Sequence, residues 1–334
     1  MEIINVGIIG YGLSGRYLQA PFFDSFSGFH LEAIMTKNGD PKKDFPNVTH
    51  YLDVDGIIRN DNIQLISICS PNLTHFEYVK KCLEAGKHVL VEKPLVASLR
   101  QAQILYDLAE SKGLQLFVFQ NRRFDSDFLT VKKLIEAKML GRLLSLDINF
   151  HRHKPDLNPK KWKESNDPST GIMYDLGSHI LDQAIALFGR PKSWYGQVFT
   201  QRDHSEIDDA FLIWLDYDDI KVCLRSSMLV SIEQPRYVLI GTEGMAIKYG
   251  IDVQEDHLKE GIAVTSPSFG VEEVKNAMTL KTSQADSKIA AEKGNWMNFF
   301  IEIYEAIVDN KAPSITREQI LLQIEILDSI KNKS

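Results

Sequence analysis

The stretch VGIIGYGLSG, residues 6–15, places three glycines in one turn between an apolar strand-like run and a helix-like segment. Gly10 permits a tight turn, Gly12 lets a pyrophosphate approach the backbone, and Gly15 allows the helix to pack closely against the strand. The N-terminus of that helix would offer N–H groups and the positive end of its dipole to the phosphates. The spacing therefore predicts a dinucleotide-binding turn rather than a plain strand-to-helix connection. We expect the cofactor to contact Gly10, Tyr11, Gly12, Leu13, Ser14 and Gly15.

The first third of the chain alternates short apolar runs with helix-length segments. The runs are IINVGII, HLEAIM, IQLISIC, KHVLVE and LQLFVF. Continuous apolar strands separated by helices indicate a parallel sheet covered on both faces, which is the doubly wound α/β, or Rossmann, arrangement. Residues 1–122 are therefore predicted to form an NAD(P)-binding Rossmann domain.

Beyond residue 122 the pattern changes. Helices are predicted over 126–137 and 173–187, and β-rich runs with hairpin-like breaks such as DYDD follow the second of them. The predicted strands cover 193–202, 207–217, 220–231 and 235–249. That order is typical of an α+β domain with an open-faced, mostly antiparallel sheet. We therefore expect residues 123–334 to form a second domain that binds substrate and mediates oligomerisation.

Composition narrows the possible partners. The formal net charge is −7, which argues against a general nucleic-acid or anionic-membrane binder. No apolar run is long enough to span a bilayer, no secretory leader is recognisable, and three cysteines without C-x-x-C spacing suit a reducing compartment. We expect a cytoplasmic protein that binds small molecules. The run AFLIWLD, residues 210–216, leaves both faces of its strand partly apolar, which predicts a homodimer or homotetramer.

The end of the second strand bears on cofactor choice. An NAD site usually has an acidic residue about 20 positions after the glycines, to bind the ribose 2′-hydroxyl. Here Thr36 and Lys37 occupy that place, and no acid precedes Asp40. A hydroxyl and an ammonium group would favour a 2′-phosphate, so NADP is predicted, with NAD as the alternative. The competing interpretation is that Lys37 is a solvated loop lysine.

Two later motifs carry ionisable groups. EKP places Glu92 and Lys93 at the end of the fourth β-rich run, where ligands of open α/β sheets bind, and the following proline could fix an unusual, possibly cis, backbone. YDLGSHILDQ places Asp175, His179 and Asp182 on one face if the segment is helical. A carboxylate beside an imidazole can orient it for proton transfer. Each motif also has a simpler interpretation, as an exposed lysine and as a surface Asp–His pair.

Taken together, the glycine turn, SPNLTH, AGKHVLVEKPL and YDLGSHILDQ resemble the glucose-fructose oxidoreductase/inositol dehydrogenase/MocA family in order and spacing over nearly the whole chain. The stretches GYGLSG, QNRRFDSDFLTVKKLI and IKYGIDVQED are similar to its NADP-dependent scyllo-inositol 2-dehydrogenase branch. The resemblance implies a Rossmann domain, an open-faced sheet domain that commonly mediates oligomerisation, and hydride transfer between NADP(H) and a polyol or sugar.

By position, Lys93, Asp175 and His179 match the catalytic set of that family. Of the glycine cluster that many members carry before this aspartate, Gly171 remains. The resemblance adds these cofactor-binding positions: Ser70, Pro71, Asn72, His75, Glu92, Lys93, Trp162 and Lys163. Asn121, Arg122 and Arg123 follow the fifth β-rich run, where one of them could reach the substrate or the arginines could form structural ion pairs. Tyr249 could line the pocket or pack in the sheet.

The chemistry of alcohol oxidation suggests roles for these residues. His179 is expected to act as general acid and base, held by Asp175, while Lys93 stabilises charge on the reacting oxygen. Lys93 is the alternative proton acceptor, because a cationic nicotinamide nearby would lower the pKa of its amine. His151 and His153 have H-x-H spacing, but no supporting cluster predicts a metal site.

Other functions remain compatible with the same fold. The substrate could be an aldose, a uronate or a biliverdin-like tetrapyrrole, all oxidised or reduced with the same cofactor. A non-catalytic dinucleotide sensor is a further alternative, although such a protein would not need Lys93, Asp175 and His179.

Overall fold

The computed structural model of the protein describes residues 2–159, 164–165, 167–283 and 286–331. The chain divides into two compact units. The first contains the residues up to Asn121, Gln254–Phe269 and Trp296–Leu321, and the second contains Arg122–Val253, Gly270–Asn295 and the residues from Leu322 onward. The chain therefore returns twice to its first unit, which a single boundary after residue 122 does not describe.

In the first unit, the described residues form a six-stranded parallel sheet with the order β3-β2-β1-β4-β5-β6. Its strands are β1 Ile4–Ile9, β2 Phe29–Met35, β3 Thr49–Tyr51, β4 Leu65–Ile68, β5 His88–Val91 and β6 Leu116–Val118. Its helices are α1 Ala20–Ser25, α2 Val54–Ile58, α3 His75–Glu84, α4 Leu99–Ser111, α7 Gln254–Lys259 and α8 Trp296–Val308. The strand order reverses between β1 and β4, which is where open α/β sheets bind ligands.

Aromatic packing attaches the late helix α8 to this unit. Phe22 of α1 stacks on Phe300 of α8, with ring centroids 4.7 Å apart and planes 3° from parallel. The hydroxyl of Tyr304 donates a hydrogen bond to the carbonyl oxygen of Glu2 at 2.9 Å. The apolar face of α8 thus covers the start of the chain, which explains why residues so distant in sequence share one core.

The second unit contains a larger sheet with the order β14-β13-β12-β11-β7-β10-β9-β8 in the described residues. Its strands are β7 Leu143–Asn149, β8 Ser193–Phe199, β9 Ala210–Asp216, β10 Lys221–Ser227, β11 Tyr237–Gly241, β12 Gly244–Lys248, β13 Met278–Thr282 and β14 Asp286–Ile289. Helices α5 Ser126–Glu136 and α6 Ser178–Phe188 lie in this unit, and α9 Arg317–Lys331 extends into it. Only the pairing of β7 with β10 is parallel among these described strands.

The large sheet has one covered and one open face. Phe211, Ile213 and Leu215 are buried, whereas Trp214 is 47% exposed. A Cβ at Gly177, at the start of the α6 region, would lie 3.2 Å from the ring of Phe211, so this helix covers the buried face. The predicted fold class, a Rossmann domain followed by an α+β domain with an open-faced sheet, is confirmed.

Details of the sheet differ from the sequence predictions. The strand predicted over 235–249 is two strands, β11 and β12, that form an antiparallel hairpin through residues 242 and 243. Strands β13 and β14 and helix α7 had no counterpart in the predictions, because their short polar sequences lack clear periodicity. None of the helices in the described residues combines the length and the apolar character needed to cross a membrane.

Candidate active site

The three glycines of the turn after β1 have different surroundings. Gly10 has φ of +97°, and a Cβ there would lie 2.7 Å from the carbonyl oxygen of Cys69. A Cβ at Gly15 would lie 2.1 Å from the carbonyl oxygen of Gly10, whereas at Gly12 nothing lies within 4 Å. Gly10 and Gly15 are therefore required by the turn itself, and the open space at Gly12 leaves its backbone accessible to a phosphate group. The residues present fit a bound dinucleotide.

Glu92 connects this turn to the end of β5. Ser14 donates a hydrogen bond to the Glu92 carboxylate, and Gln19 Nε2 donates to the same oxygen at 3.0 Å. The Lys93 backbone N–H donates to the other carboxylate oxygen at 3.2 Å. Burial raises the pKa of Glu92, although the hydrogen bond from Ser14 and the charge of Lys93 oppose that shift. The predicted cofactor residues Ser14 and Glu92 thus bind each other, and together they fix the backbone at Lys93.

His75 joins two loops beside this strand end. Its ring nitrogens lie 2.9 Å from the carbonyl oxygen of Pro94 and 3.0 Å from that of Ser70, and its side chain is fully buried. The peptide bond between Lys93 and Pro94 is cis. Because the His75 ring is enclosed by these carbonyls, its contribution to a cofactor site would come through the positions of the two loops. Asn72 is half-buried and Pro71 is exposed on the first of those loops.

The loop after β2 has its own hydrogen bonds. The Thr36 hydroxyl donates to the carbonyl oxygen of Asn38 at 2.7 Å and accepts from the Asn38 N–H at 3.2 Å, so it shapes the loop. Lys37 is exposed. Tyr11 of the glycine turn donates to Asp44 at 2.6 Å, and Arg16 pairs with the same carboxylate at 2.8 Å. The glycine turn and the loop that would bind the ribose are therefore linked through Asp44.

In the second unit, Gly171 and Asp208 set the start of the helix that carries Asp175 and His179. Gly171 has φ of +96°, and a Cβ there would lie 2.1 Å from Asp208 Oδ1. Asp208 accepts a hydrogen bond from the Met173 N–H at 2.9 Å and pairs with Lys331. A π-helical turn, Met173–Gly177, then continues directly into α6. A single glycine therefore suffices for the backbone at the position where many family members have a cluster.

The ionisable residues of this helix have unequal environments. His179 is buried, whereas the Asp175 side chain is 47% exposed. Asp182 is buried and accepts two hydrogen bonds from Arg123, each of 2.7 Å. Burial raises the pKa of Asp182, and Arg123 opposes the shift. Of the three ionisable residues predicted to share one helix face, Asp182 therefore forms a structural ion pair.

Among the proposed substrate residues, Arg122 is buried, and its Nη1 lies 3.1 Å from Asp125, which is also buried. A role for both arginines as structural ion pairs agrees with this geometry. Asn121 is buried in the first unit, and Tyr249 is 43% exposed in the second. Trp162 and Lys163 lie outside the described residues. The described residues hold no group of three His, Cys, Asp or Glu side chains placed to bind a metal ion.

Sequence reasoning missed Arg152. Its Nη1 lies 3.6 Å from Asp175 Oδ2, and its guanidinium carbon lies 5.7 Å from the centroid of the Phe150 ring. Leu146, Ile148 and Phe150 are buried at alternate positions, and Arg152 continues that row beyond the end of β7. The period-two alternation of a strand could have placed it on the helix-covered side of the sheet.

A parallel sheet of this strand order, with an open glycine turn after its first strand, is typical of a dinucleotide-binding domain. Comparison with known families agrees: residues 4–120 match an oxidoreductase family with an NAD-binding Rossmann fold, and residues 128–247 match the GFO/IDH/MocA C-terminal domain. The chain belongs to the Gfo/Idh/MocA oxidoreductase family, which confirms the resemblance seen in the sequence.

The relatives of this chain include an inositol dehydrogenase and a sugar-phosphate dehydrogenase. The chain is 34% identical to scyllo-inositol 2-dehydrogenase (NADP(+)) IolW of Bacillus subtilis, over all of this chain and 94% of that protein. Glucose-6-phosphate 3-dehydrogenase of the same species is 33% identical over 44% of this chain and 40% of its own length. The solved B. subtilis structure of yvaA, described as an oxidoreductase, superposes with a TM-score of 0.95 at 33% identity, over all of this chain and 96% of that one.

Proposed function

We propose that this protein is an NADP(H)-dependent dehydrogenase that interconverts a secondary alcohol and a ketone of a polyol or sugar, as scyllo-inositol 2-dehydrogenase does. The observation that carries the proposal is the assembly at the end of β5. Glu92 binds the glycine turn through Ser14 and Gln19 and binds the backbone of Lys93. The backbone that carries the proposed catalytic amine is thereby bound to the turn proposed to bind the cofactor.

Each proposed catalytic residue has one task. The nicotinamide, when bound, supplies the hydride acceptor or donor. Lys93 donates a hydrogen bond to the reacting oxygen and stabilises negative charge on it. His179 takes up the hydroxyl proton during oxidation and returns it during reduction, while Asp175 holds the imidazole in the required orientation. The alternative assignment gives the proton to Lys93 and leaves His179 to bind the substrate.

Turnover of a substrate panel tests the proposal. NADPH absorbance is followed with inositols, keto-inositols, aldoses, uronates and sugar phosphates, the last because glucose-6-phosphate 3-dehydrogenase is among the relatives. K93A and H179A should each lower kcat by roughly 100-fold or more. Added imidazole should partly restore H179A and not K93A if His179 transfers the proton. Turnover retained by both variants, or none with any panel member, would contradict the proposal.

NADP is the cofactor we propose in preference to NAD. Lys37 is exposed on the loop after β2, where the 2′-phosphate of NADP would be placed. K37D should weaken NADP binding about 10-fold or more and change NAD binding much less, because a carboxylate repels the phosphate. K42D, an equally exposed change in the same loop, is the control. Equal losses for both cofactors in K37D would refute the assignment.

We also propose a cytoplasmic homo-oligomer that uses the open face of the large sheet. Tyr195 and Trp214 are register partners on neighbouring strands, and both are exposed. Together with Ile240 and Met245, they give this face large apolar side chains in solvent. Sedimentation analysis should therefore find a dimer or tetramer, and a monomer would contradict this part of the proposal.

A further inference from the structure

Arg152 and Asp175 form an ion pair that differs from the others near the α6 helix. The nearest approach of the two charged groups is 3.6 Å, and the two side chains are 34% and 47% exposed. Arg123 and Asp182, by contrast, are buried and share two hydrogen bonds of 2.7 Å. A partly exposed pair at this distance contributes little to stability. The fold therefore gains little from Arg152 at this position.

The backbone holds Arg152 in a defined place. Its N–H donates to the carbonyl oxygen of Ser227 at 3.0 Å, and its own carbonyl accepts from the Val230 N–H at 3.1 Å. Phe150 lies beneath the guanidinium on the same side of the strand. A guanidinium has five N–H donors, and its nearest approach to Asp175, at 3.6 Å, is longer than a hydrogen bond. The pair thus presents donors and acceptors from a fixed position beside a proposed catalytic residue.

The charges around the pair favour a neutral ligand. Arg152 is balanced by Asp175, Arg122 by Asp125, and Arg123 by Asp182. A phosphate or carboxylate placed here would have to compete with Asp175 for Arg152. Adjacent hydroxyl groups of a ring, in contrast, can donate to the Asp175 carboxylate and accept from the guanidinium without separating the pair.

On the basis of the proposed function, we propose that Arg152 and Asp175 bind two adjacent hydroxyl groups of a neutral cyclic polyol. Arg152 is then a substrate-binding residue that the protein uses to select polyols over sugar phosphates and uronates. One hydroxyl donates its hydrogen to the carboxylate, and the oxygen of its neighbour accepts from the guanidinium.

A double-mutant-type cycle, in which Arg152 and one substrate hydroxyl are changed separately and together, tests whether the two interact. kcat/KM is measured for wild type, R152Q and R152K with a cyclic polyol and with its deoxy analogue lacking the hydroxyl next to the reacting carbon. Removing that hydroxyl should cost wild type about 10-fold or more and R152Q under about 3-fold, with R152K between them. R190Q, which removes an exposed arginine paired with Glu325 in the same unit, should keep the wild-type penalty.

The outcomes separate this inference from the function on which it rests. An equal deoxy penalty in wild type and R152Q overturns it, as does a wild-type preference for a sugar phosphate or uronate that R152Q loses. Calorimetry measures polyol binding without turnover. If no substrate turns over but R152Q binds the polyol about 10-fold more weakly than wild type does, the inference stands and the dehydrogenase proposal fails. If wild type does not bind the polyol, the inference fails too.

Discussion

The two units hold their candidate residues by different means. In the first unit, backbone conformation and short polar contacts position the candidate residues. Gly10 turns the chain after β1, and Glu92 binds Ser14 and the backbone of Lys93. In the second, ion pairs with buried carboxylates lie at the helix of Asp175 and His179 or next to it. These pairs are Arg123–Asp182, Arg122–Asp125, Arg236–Asp127 and Lys331–Asp208.

Neutral side chains extend the charged network of the second unit. Gln183 of α6 donates to the carbonyl oxygen of Arg122 at 2.9 Å and accepts from the hydroxyl of Tyr237 at 2.8 Å. Gln323 of α9 donates to the carbonyl oxygen of Ser178 at 2.6 Å. Each of these side chains is buried, so each depends on its partner to offset the cost of leaving water.

This contrast has a consequence for substitutions. A backbone-built site is damaged by residues that cannot adopt its conformation, whereas a site held by buried charges is damaged by removal of either partner. The turn after β1 should therefore be sensitive to added Cβ atoms, and the charged network near α6 should be sensitive to lost charges.

Removal of the Arg123 guanidinium should have the largest effect on stability. R123M leaves Asp182 buried without its two hydrogen bonds, and the free energy of unfolding should fall by about 3–5 kcal/mol. Urea unfolding followed by circular dichroism measures the loss. R190Q, which breaks the exposed pair with Glu325, should cost about 0–1 kcal/mol.

A double substitution distinguishes the cost of leaving Asp182 unpaired from the cost of losing the Arg123 side chain. R123M combined with D182L replaces both charges with apolar groups, and much of the lost stability should return, because no uncompensated charge is then buried. If R123M alone unfolds at the same urea concentration as wild type, the network does not hold this helix and the contrast between the units is wrong.

The first unit should respond to added methyl groups in a position-dependent way. G10A forces a side chain into φ of +97°, 2.7 Å from the carbonyl oxygen of Cys69, and should cost about 1–3 kcal/mol without any cofactor. G12A meets no atom within 4 Å, so the free energy of unfolding should change by under about 0.5 kcal/mol. NADPH binding by G12A, measured by fluorescence, should nevertheless weaken about 10-fold or more. Equal stability losses in the two variants would contradict the assigned roles.

The same contrast explains what could be predicted from the sequence. Local features can be predicted from the sequence, such as the glycine spacing, the strand end at Lys93 and the helical spacing of Asp175 and His179. Contacts between residues far apart in the chain cannot be predicted in this way. Nothing in the residue pattern shows that Asp208 fits beside Gly171, or that Arg152 pairs with Asp175.

The division of the chain into two units also depends on contacts between distant residues, which the sequence does not show. Residues 254–269 and 296–321 belong to the first unit because of packing such as that of Phe22 on Phe300, which joins positions far apart in the chain. An amphipathic helix shows in its sequence that one face is buried, but not which surface covers that face.

Glu92 offers the smallest and most specific test, because hydroxyl and amide donors, and no guanidinium among the described residues, bind this half-buried carboxylate. Burial raises the pKa of Glu92 above its ordinary value, so the ionised form destabilises the folded protein. That cost is fully present above the raised pKa and is relieved as pH falls through it toward the unfolded value.

E92Q keeps an acceptor for Ser14 and Gln19 and removes the titration. In the absence of cofactor, the Tm of E92Q relative to wild type should therefore increase as pH rises from 4 toward the raised pKa, and should level off above it. The informative quantity is the change of this Tm difference with pH. Loss of the hydrogen bond from the Lys93 N–H shifts the Tm of E92Q by the same amount at every pH, so it does not alter that change. E233Q, an exposed change of the same type, should give a flat difference. A flat difference for E92Q as well would show that the Glu92 carboxyl is as well solvated in the folded protein as in the unfolded chain.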